Sequence, residues 1–157
     1  MTIRRAESGE AEAVARVINS AFGPAEGFFI QGDRISPDGV RDLFGKGAFL
    51  VAGDYAGVVY VERRGERAYL GLLSVAPARQ GEGFGKQLTA AAEDHAREHG
   101  GRFMDLRVVN LRTELPPMYQ KLGYVESGTE PWPEGVPSKL PCHFLCMSKA
   151  LTSPSGT

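Results

Sequence analysis

The stretch Leu72-Leu73-Ser74-Val75-Ala76-Pro77-Ala78-Arg79-Gln80-Gly81-Glu82-Gly83-Phe84-Gly85-Lys86-Gln87-Leu88 decides the fold of this chain. An apolar, strand-like run passes through a proline and three alternating glycines into a helix whose apolar face starts at Phe84 and Leu88. A helix start leaves backbone N–H groups unpaired and carries partial positive charge, and glycines let that backbone approach a ligand closely. The junction therefore reads as a phosphate site, against the plainer alternative of a tight turn with no ligand. Spacing narrows the choice. A P-loop needs Lys-Ser or Lys-Thr after its last glycine, whereas Gly85 is followed by Lys86-Gln87. The dinucleotide fingerprint needs Gly-x-Gly-x-x-Gly and an acid at a strand end, but Gly81-x-Gly83-x-Gly85 is spaced differently and Asp105 falls inside its strand.

Outward from this junction, Ala48 to Ala52, Ala56 to Glu62 and Tyr69 to Val75 are apolar, β-branched-rich runs separated by Gly53-Asp54 and Arg64-Gly65-Glu66, and they predict an antiparallel meander. Phe84, Leu88, Ala91, Ala92 and Ala96 share a helix face up to Gly100-Gly101, and Met104 to Val109 predicts another strand. Upstream lie a short strand at Ile3 to Ala6, a helix from Ala11 to Phe22 stopped by Gly23-Pro24, and a short helix entered at Ser36-Pro37. Downstream come a helix from about Pro117 to Leu122, a proline-rich loop and a last strand around Phe144 to Lys149. The mixture is an α/β (α+β) domain over residues 1–151, with 152–157 expected to be a disordered tail.

The bulk composition excludes several function classes. A chain of 157 residues with 42% hydrophobic and 24% charged residues fits one domain, and its net charge of −1 offers no global field for nucleic acid or anionic membrane. The start lacks a signal-peptide run and no stretch suits a membrane span, so a cytoplasmic location is expected. Cys142 and Cys146, read within one strand, would stand about 13 Å apart and so cannot bridge each other. His95 and His99 share a helix face, but nothing supplies a third ligand, so no metal is expected.

Taken in order, Gln80-x-x-Gly83-x-Gly85, the preceding Leu72 to Pro77, the segment Asn110 to Tyr124 with its Tyr-x-x-x-Gly-Tyr ending, and Met147 to Leu151 resemble the GCN5-related N-acetyltransferase (GNAT) family. The resemblance is strongest from Tyr69 to Tyr124. It implies a mixed, mainly antiparallel sheet of six or seven strands, flanked by helices and splayed between the fourth and fifth strands. It also implies acetyl-coenzyme A as co-substrate and no metal. The cofactor arm would bond the backbone at Leu73 and Val75, the pyrophosphate would fall on Gln80, Gly81, Gly83, Phe84, Gly85 and Lys86, and Asn110 would touch the arm.

Tyr119 matches the family's usual general acid, with a packed aromatic as its plainer alternative. Family members that carry an acid or histidine on the fourth strand do so where this chain has Tyr69 and Gly71. Glu62 then becomes the substitute base or water relay, with His143 behind it. Asn110 to Tyr119 is two residues longer than the commoner family spacing, so Arg112 and Glu114 could form a local ion pair that orders it. Glu26, Phe28, Phe29 and Arg34 sit where the family builds its acceptor pocket, and Trp132 in the proline-rich loop either walls that pocket or caps the core. The implied function is acetyl transfer to a primary amine of a small molecule by direct attack in a ternary complex, as in a small-molecule branch of the family. A protein or peptide amine, or a silent acyl-coenzyme A-binding module, are the rivals. No nucleic acid or membrane partner is expected, and the assembly allowed for is a homodimer.

Overall fold

A computed structural model of the chain describes residues 2–30 and 32–151; the expected disordered tail, 152–157, lies outside the described residues. Seven strands form one sheet in the order β1-β2-β3-β4-β5-β7-β6. In chain order these are β1 (Ile3–Arg5), α1 (Ala11–Glu26), α2 (Pro37–Phe44), β2 (Ala48–Ala52), β3 (Gly57–Arg64), β4 (Arg67–Val75), α3 (Phe84–Glu98), β5 (Phe103–Val109), α4 (Leu115–Lys121), β6 (Val125–Pro131) and β7 (His143–Ala150). Every strand pair is antiparallel except β4 with β5.

Helices cover both faces of the sheet, and the strand sequences say why. Every residue of β2 and the first five of β3 are buried, so these strands read as continuous apolar runs instead of alternating ones. On one face α3 inserts Phe84, Leu88, Ala92 and Ala96 against Val59, Val61, Leu70 and Leu106. On the other face α1 inserts Val14, Val17 and Ile18 against Phe49, Val51 and Tyr60. Two cores thus share one sheet as their common wall. No described helix is long and apolar enough to cross a membrane.

Three sequence expectations shift. Gly23-Pro24 does not stop α1, which runs on to Glu26. Proline removes only its own N–H, and the Gly27 N–H closes the final turn on the Gly23 carbonyl at 2.9 Å. The extra turn carries Glu26 into the protein, where it is 5% exposed. Next, α4 starts two residues earlier than the proline-based reading, because Pro116 and Pro117 fall in the first turn, where N–H groups have no helical acceptor anyway. Finally, Val125–Pro131 forms a strand that apolar alternation could not reveal: β6 is an edge strand exposed along its whole length. Cys142 precedes β7, Cys146 lies within it, and both are free thiols.

One buried carboxylate joins the last strands to α3. Glu93, 5% exposed, accepts from the Tyr124 hydroxyl at 2.9 Å and from Lys149 Nζ at 2.9 Å, with Arg97 3.7 Å away. Removing one partner of such a pair leaves an uncompensated buried charge. Lys149→Met is therefore expected to lower unfolding stability by about 2 kcal/mol, below the full cost of an orphaned buried charge because Arg97 remains. Urea unfolding followed by circular dichroism would measure it, and a change within experimental error would show that the network adds nothing.

Candidate functional site

The parallel contact between β4 and β5 is short. Register pairs run only from Arg67 with Phe103 to Tyr69 with Asp105, so Leu70 to Val75 have no partner on β5 and the two strands diverge. A side-chain clasp closes the paired end. Arg67 donates to both oxygens of Asp105 at 2.6 Å, and the Ser148 hydroxyl on β7 donates to Asp105 at 2.6 Å. The Arg67 hydrogen bonds, aided by Ser148 and opposed by burial, hold the Asp105 carboxyl below its ordinary value.

A bulge on β4 lies within the diverging part. Val58 pairs with Ser74 and Tyr60 with Gly71, so Leu72 and Leu73 together face the single residue Val59. Leu72 adopts φ 54°, a left-handed conformation costing a leucine about 1–2 kcal/mol. The Leu72 carbonyl accepts from the Ser74 hydroxyl at 2.9 Å, which steadies the bulge. Nothing in the residue types announced it.

Beyond Val75 the chain reaches the glycine junction. The Gln80 side-chain amide donates to the Val75 carbonyl at 3.3 Å, tying the turn to the end of β4. Gly83 stands at φ 89° and precedes α3, whose first bond runs from the Gln87 N–H to the Gly83 carbonyl. The N–H groups of Phe84, Gly85 and Lys86 thus have no helical acceptor. A Cβ at Gly81 would meet nothing within 4 Å, so the space beside the turn is open. Glu82, the acid of the turn, is paired with Arg79 at 3.0 Å. Unpaired N–H groups, open space and a neutralised acid suit the pyrophosphate of coenzyme A.

Tyr119 and Glu62 lie on opposite sides of the opening. The Tyr119 ring, 5% exposed, sits in the core on the α3 face. Its hydroxyl has no hydrogen bond among the described residues, yet no described side-chain oxygen or nitrogen is both buried and unpartnered, so this hydroxyl reaches open space. Burial raises the Tyr119 pKa, nearby Arg112 opposes the rise and Tyr69 adds to it. The phenol therefore keeps its proton at neutral pH.

Glu62 lines a cavity of about 640 Å³ on the α2 face, together with Tyr69, Leu72 and Leu106 at the opening. Its carboxylate accepts from the Tyr60 hydroxyl and from Arg64 Nε, each at 2.5 Å. Burial pushes its pKa up, but the bonds from Arg64 and Tyr60 outweigh that and leave it lowered. The Tyr69–Gly71 pair has a physical reason. A Cβ at Gly71 would come within 2.7 Å of the Tyr69 ring, and the Arg64 guanidinium covers that ring at 4.4 Å. The ring thus takes the space of a residue-71 side chain, and Glu62 stands directly across from Tyr69 on β3.

Other expected site residues are placed elsewhere. Glu26 is not open to an incoming ammonium, because Arg112 holds it at 2.7 Å while also contacting Glu114 at 3.0 Å. Burial raises the Glu26 pKa against the pull of Arg112. This pair pins the longer β5–α4 connection to the end of α1. Phe29 and Trp132 join Val109 and Phe144 in a small separate cluster, where Trp132 stacks on Phe144 at 5.2 Å and donates to the Val136 carbonyl. Phe28, half exposed, meets Phe29 edge-on. None of these four lines the cavity, whereas Arg34 does.

The Asn110 side-chain oxygen accepts from the His143 N–H at 2.8 Å, which fastens β5 to β7, and His143 is exposed outside the cavity. His95 and His99 stack at 4.2 Å, and among the described residues no group of three or more His, Cys, Asp or Glu could hold a metal.

A sheet splayed at one parallel pair, with a glycine-opened helix start beyond β4 and titratable groups on either face, has the form of an acyltransferase fold. A family model described as an acetyltransferase (GNAT) domain matches residues 30–138. The chain belongs to the acetyltransferase (GNAT) family. No curated protein matches it. Among solved structures, yncA from Salmonella typhimurium, determined with acetyl-CoA, is 22% identical with a TM-score of 0.72, covering 100% of this chain and 97% of that one. Nourseothricin acetyltransferase is 22% identical with a TM-score of 0.73, covering 96% and 98%. Ribosomal-protein-alanine N-acetyltransferase from Brucella melitensis is 19% identical with a TM-score of 0.73, covering 96% and 100%.

Two outcomes are expected from this geometry. Gly83→Ala forces a side chain into φ 89° and displaces the N–H groups that follow, so acetyl-CoA Kd should rise about tenfold, a loss within the range of one helix-terminus interaction. Calorimetric titration would read it, and unchanged affinity would show that the turn does not hold the donor. The depressed Asp105 pKa makes the clasp stabilising above about pH 4, the ordinary carboxylate range, and this contribution fades as pH falls through the lower folded value. Asp105→Asn should thus cost about 1 kcal/mol at pH 7, modest because the pair is partly solvated. The cost should shrink in unfolding measurements below pH 4, and a pH-independent cost would argue for packing instead.

Proposed function

We propose that the chain transfers the acetyl group of acetyl-CoA to a primary amine of a small molecule by direct attack in a ternary complex. The observation that carries this reading is the opening between β4 and β5, with the Tyr119 hydroxyl on one side and the Glu62-lined cavity on the other. Donor and acceptor can approach one gap from opposite faces, which holds the two reactants in line before chemistry.

At neutral pH an alkylammonium is neutral in only about one part in two thousand, a penalty of about 4–5 kcal/mol. Glu62 is ionised and can take a proton directly or through water. Its lowered pKa makes it a weak base, so its main effect is to attract and orient the ammonium before proton loss. The amine then adds to the thioester carbonyl and forms a tetrahedral oxyanion. Unpaired main-chain N–H groups along β4 are the donors available to it. Collapse breaks the carbon–sulfur bond and releases coenzyme A thiolate, whose reference pKa is about 8.5. Because Tyr119 is a weaker acid than a free phenol, full transfer of its proton lies uphill. Its hydrogen bond to the developing thiolate supplies most of its effect until the proton shed by the nitrogen of the new amide, directly or through water, neutralises the sulfur.

The charged wall of the cavity supports a second reading, a peptide amine, and a structural neighbour is named for acetylating ribosomal-protein alanine. A cavity of about 640 Å³ is within the range of small-molecule sites, which favours the first. Thiol release from acetyl-CoA with a panel of amines and peptides tests both, and tight donor binding with no turnover of any acceptor would leave only a silent binding module. Tyr119→Phe should lower kcat about a hundredfold with acetyl-CoA affinity unchanged. Equal losses of turnover and affinity would mean that Tyr119 serves packing.

A further inference from the structure

The charge balance of the Glu62 cavity is uneven once its ion pairs are counted. Each acid on its wall is held by an arginine: Glu62 by Arg64 at 2.5 Å, Asp105 by Arg67 at 2.6 Å and Glu130 by Arg107 at 3.1 Å. Arg34 and Lys46 line the same cavity and have no carboxylate within ion-pair distance among the described residues. The Arg34 guanidinium rests over the Phe22 ring, 5.6 Å from its centroid, which anchors the side chain without using its N–H donors. Glu26 feels the charge of Arg34 but is committed to Arg112 at 2.7 Å. Glu62 feels the charge of Lys46 but is committed to Tyr60 and Arg64. The chain as a whole carries −1, so this positive surplus is local.

We propose that the amine acceptor also bears a carboxylate, which Arg34 and Lys46 receive while the amine faces the β4–β5 opening beside Glu62. The inference rests on the acetyltransferase reading above and names its substrate class. A wall with two unpaired cations attracts an anion and repels a polycation, so a polyamine or an aminoglycoside is disfavoured there. An amino acid offers the complementary pattern, an oxyanion for Arg34 and Lys46 and an ammonium whose N–H groups can still be accepted by the remaining lone pairs of the Glu62 carboxylate. Arginine suits the oxyanion because its fork can bind two oxygens at once.

The test is kcat/KM from thiol release with α- and ω-amino acids, each beside its carboxamide and the diamine of equal length, and with a tetrapeptide amide. The preferred amino acid should exceed its carboxamide by about ten- to a hundredfold, the size of one or two charge-assisted hydrogen bonds. That ratio should fall towards one in Arg34→Gln combined with Lys46→Gln, both exposed positions, and in raised salt. A ratio near one in the unaltered protein, a preference for the diamine or the peptide amide, or a ratio untouched by the double substitution would each overturn the proposal. Turnover without anionic preference overturns it alone. Donor binding with no turnover of any acceptor overturns the acetyltransferase reading and this proposal together.

Discussion

The structure turns on a pairing that is started and then abandoned. β4 and β5 run parallel for three residues, clasped by Arg67, Asp105 and Ser148, and then part. An open seam in a sheet leaves main-chain donors and acceptors without partners, which is costly unless another group fills it. The bulge at Leu72, with its strained φ, lies in the part of β4 that has no partner on β5, and the strand then ends at the glycine junction. Strain held in place by packing on both faces is the usual company of a functional site. The start of α3, the Tyr119 hydroxyl and the Glu62 cavity have their positions relative to one another because that seam is open.

Around the seam, charge is arranged in pairs whose members come from distant parts of the chain. Glu26 at the end of α1 meets Arg112 beyond β5, and Arg67 on β4 meets Asp105 on β5. The first pair immobilises the β5–α4 connection that leads to Tyr119, and the Arg112 charge opposes the effect of burial on the phenol. The second limits how far the seam can open. Across the sheet from Tyr119, two acids of the cavity wall flank Tyr69, Glu62 on β3 and Asp105 on β5, while the Tyr69 ring takes the space of any side chain at Gly71.

The Trp132 loop illustrates how packing settles a choice that composition left open. A tryptophan among four prolines could wall a pocket or cap a core. Here its ring stacks on Phe144 and its N–H is used within the loop. Lys139 then fastens the loop to the end of α1 through the Phe29 and Gly27 carbonyls at 2.7 and 2.8 Å. The loop closes one end of the domain beside the seam without entering the cavity.

The amino-acid sequence by itself determined most of the elements, the glycine junction and the family. These follow from local period, turn chemistry and spacing, which a linear reading captures. It did not reveal β6, whose residues are exposed and need no apolar pattern, nor the final turn of α1, which survives its proline because Gly27 closes it. The tertiary structure alone decided the Leu72 bulge, the pairing that withdraws Glu26 from any acceptor, and the surplus of charge at Arg34 and Lys46. Each depends on contacts between residues far apart in the chain. Whether a carboxylate is free or spent is set by which distant arginine reaches it, and no local pattern encodes that.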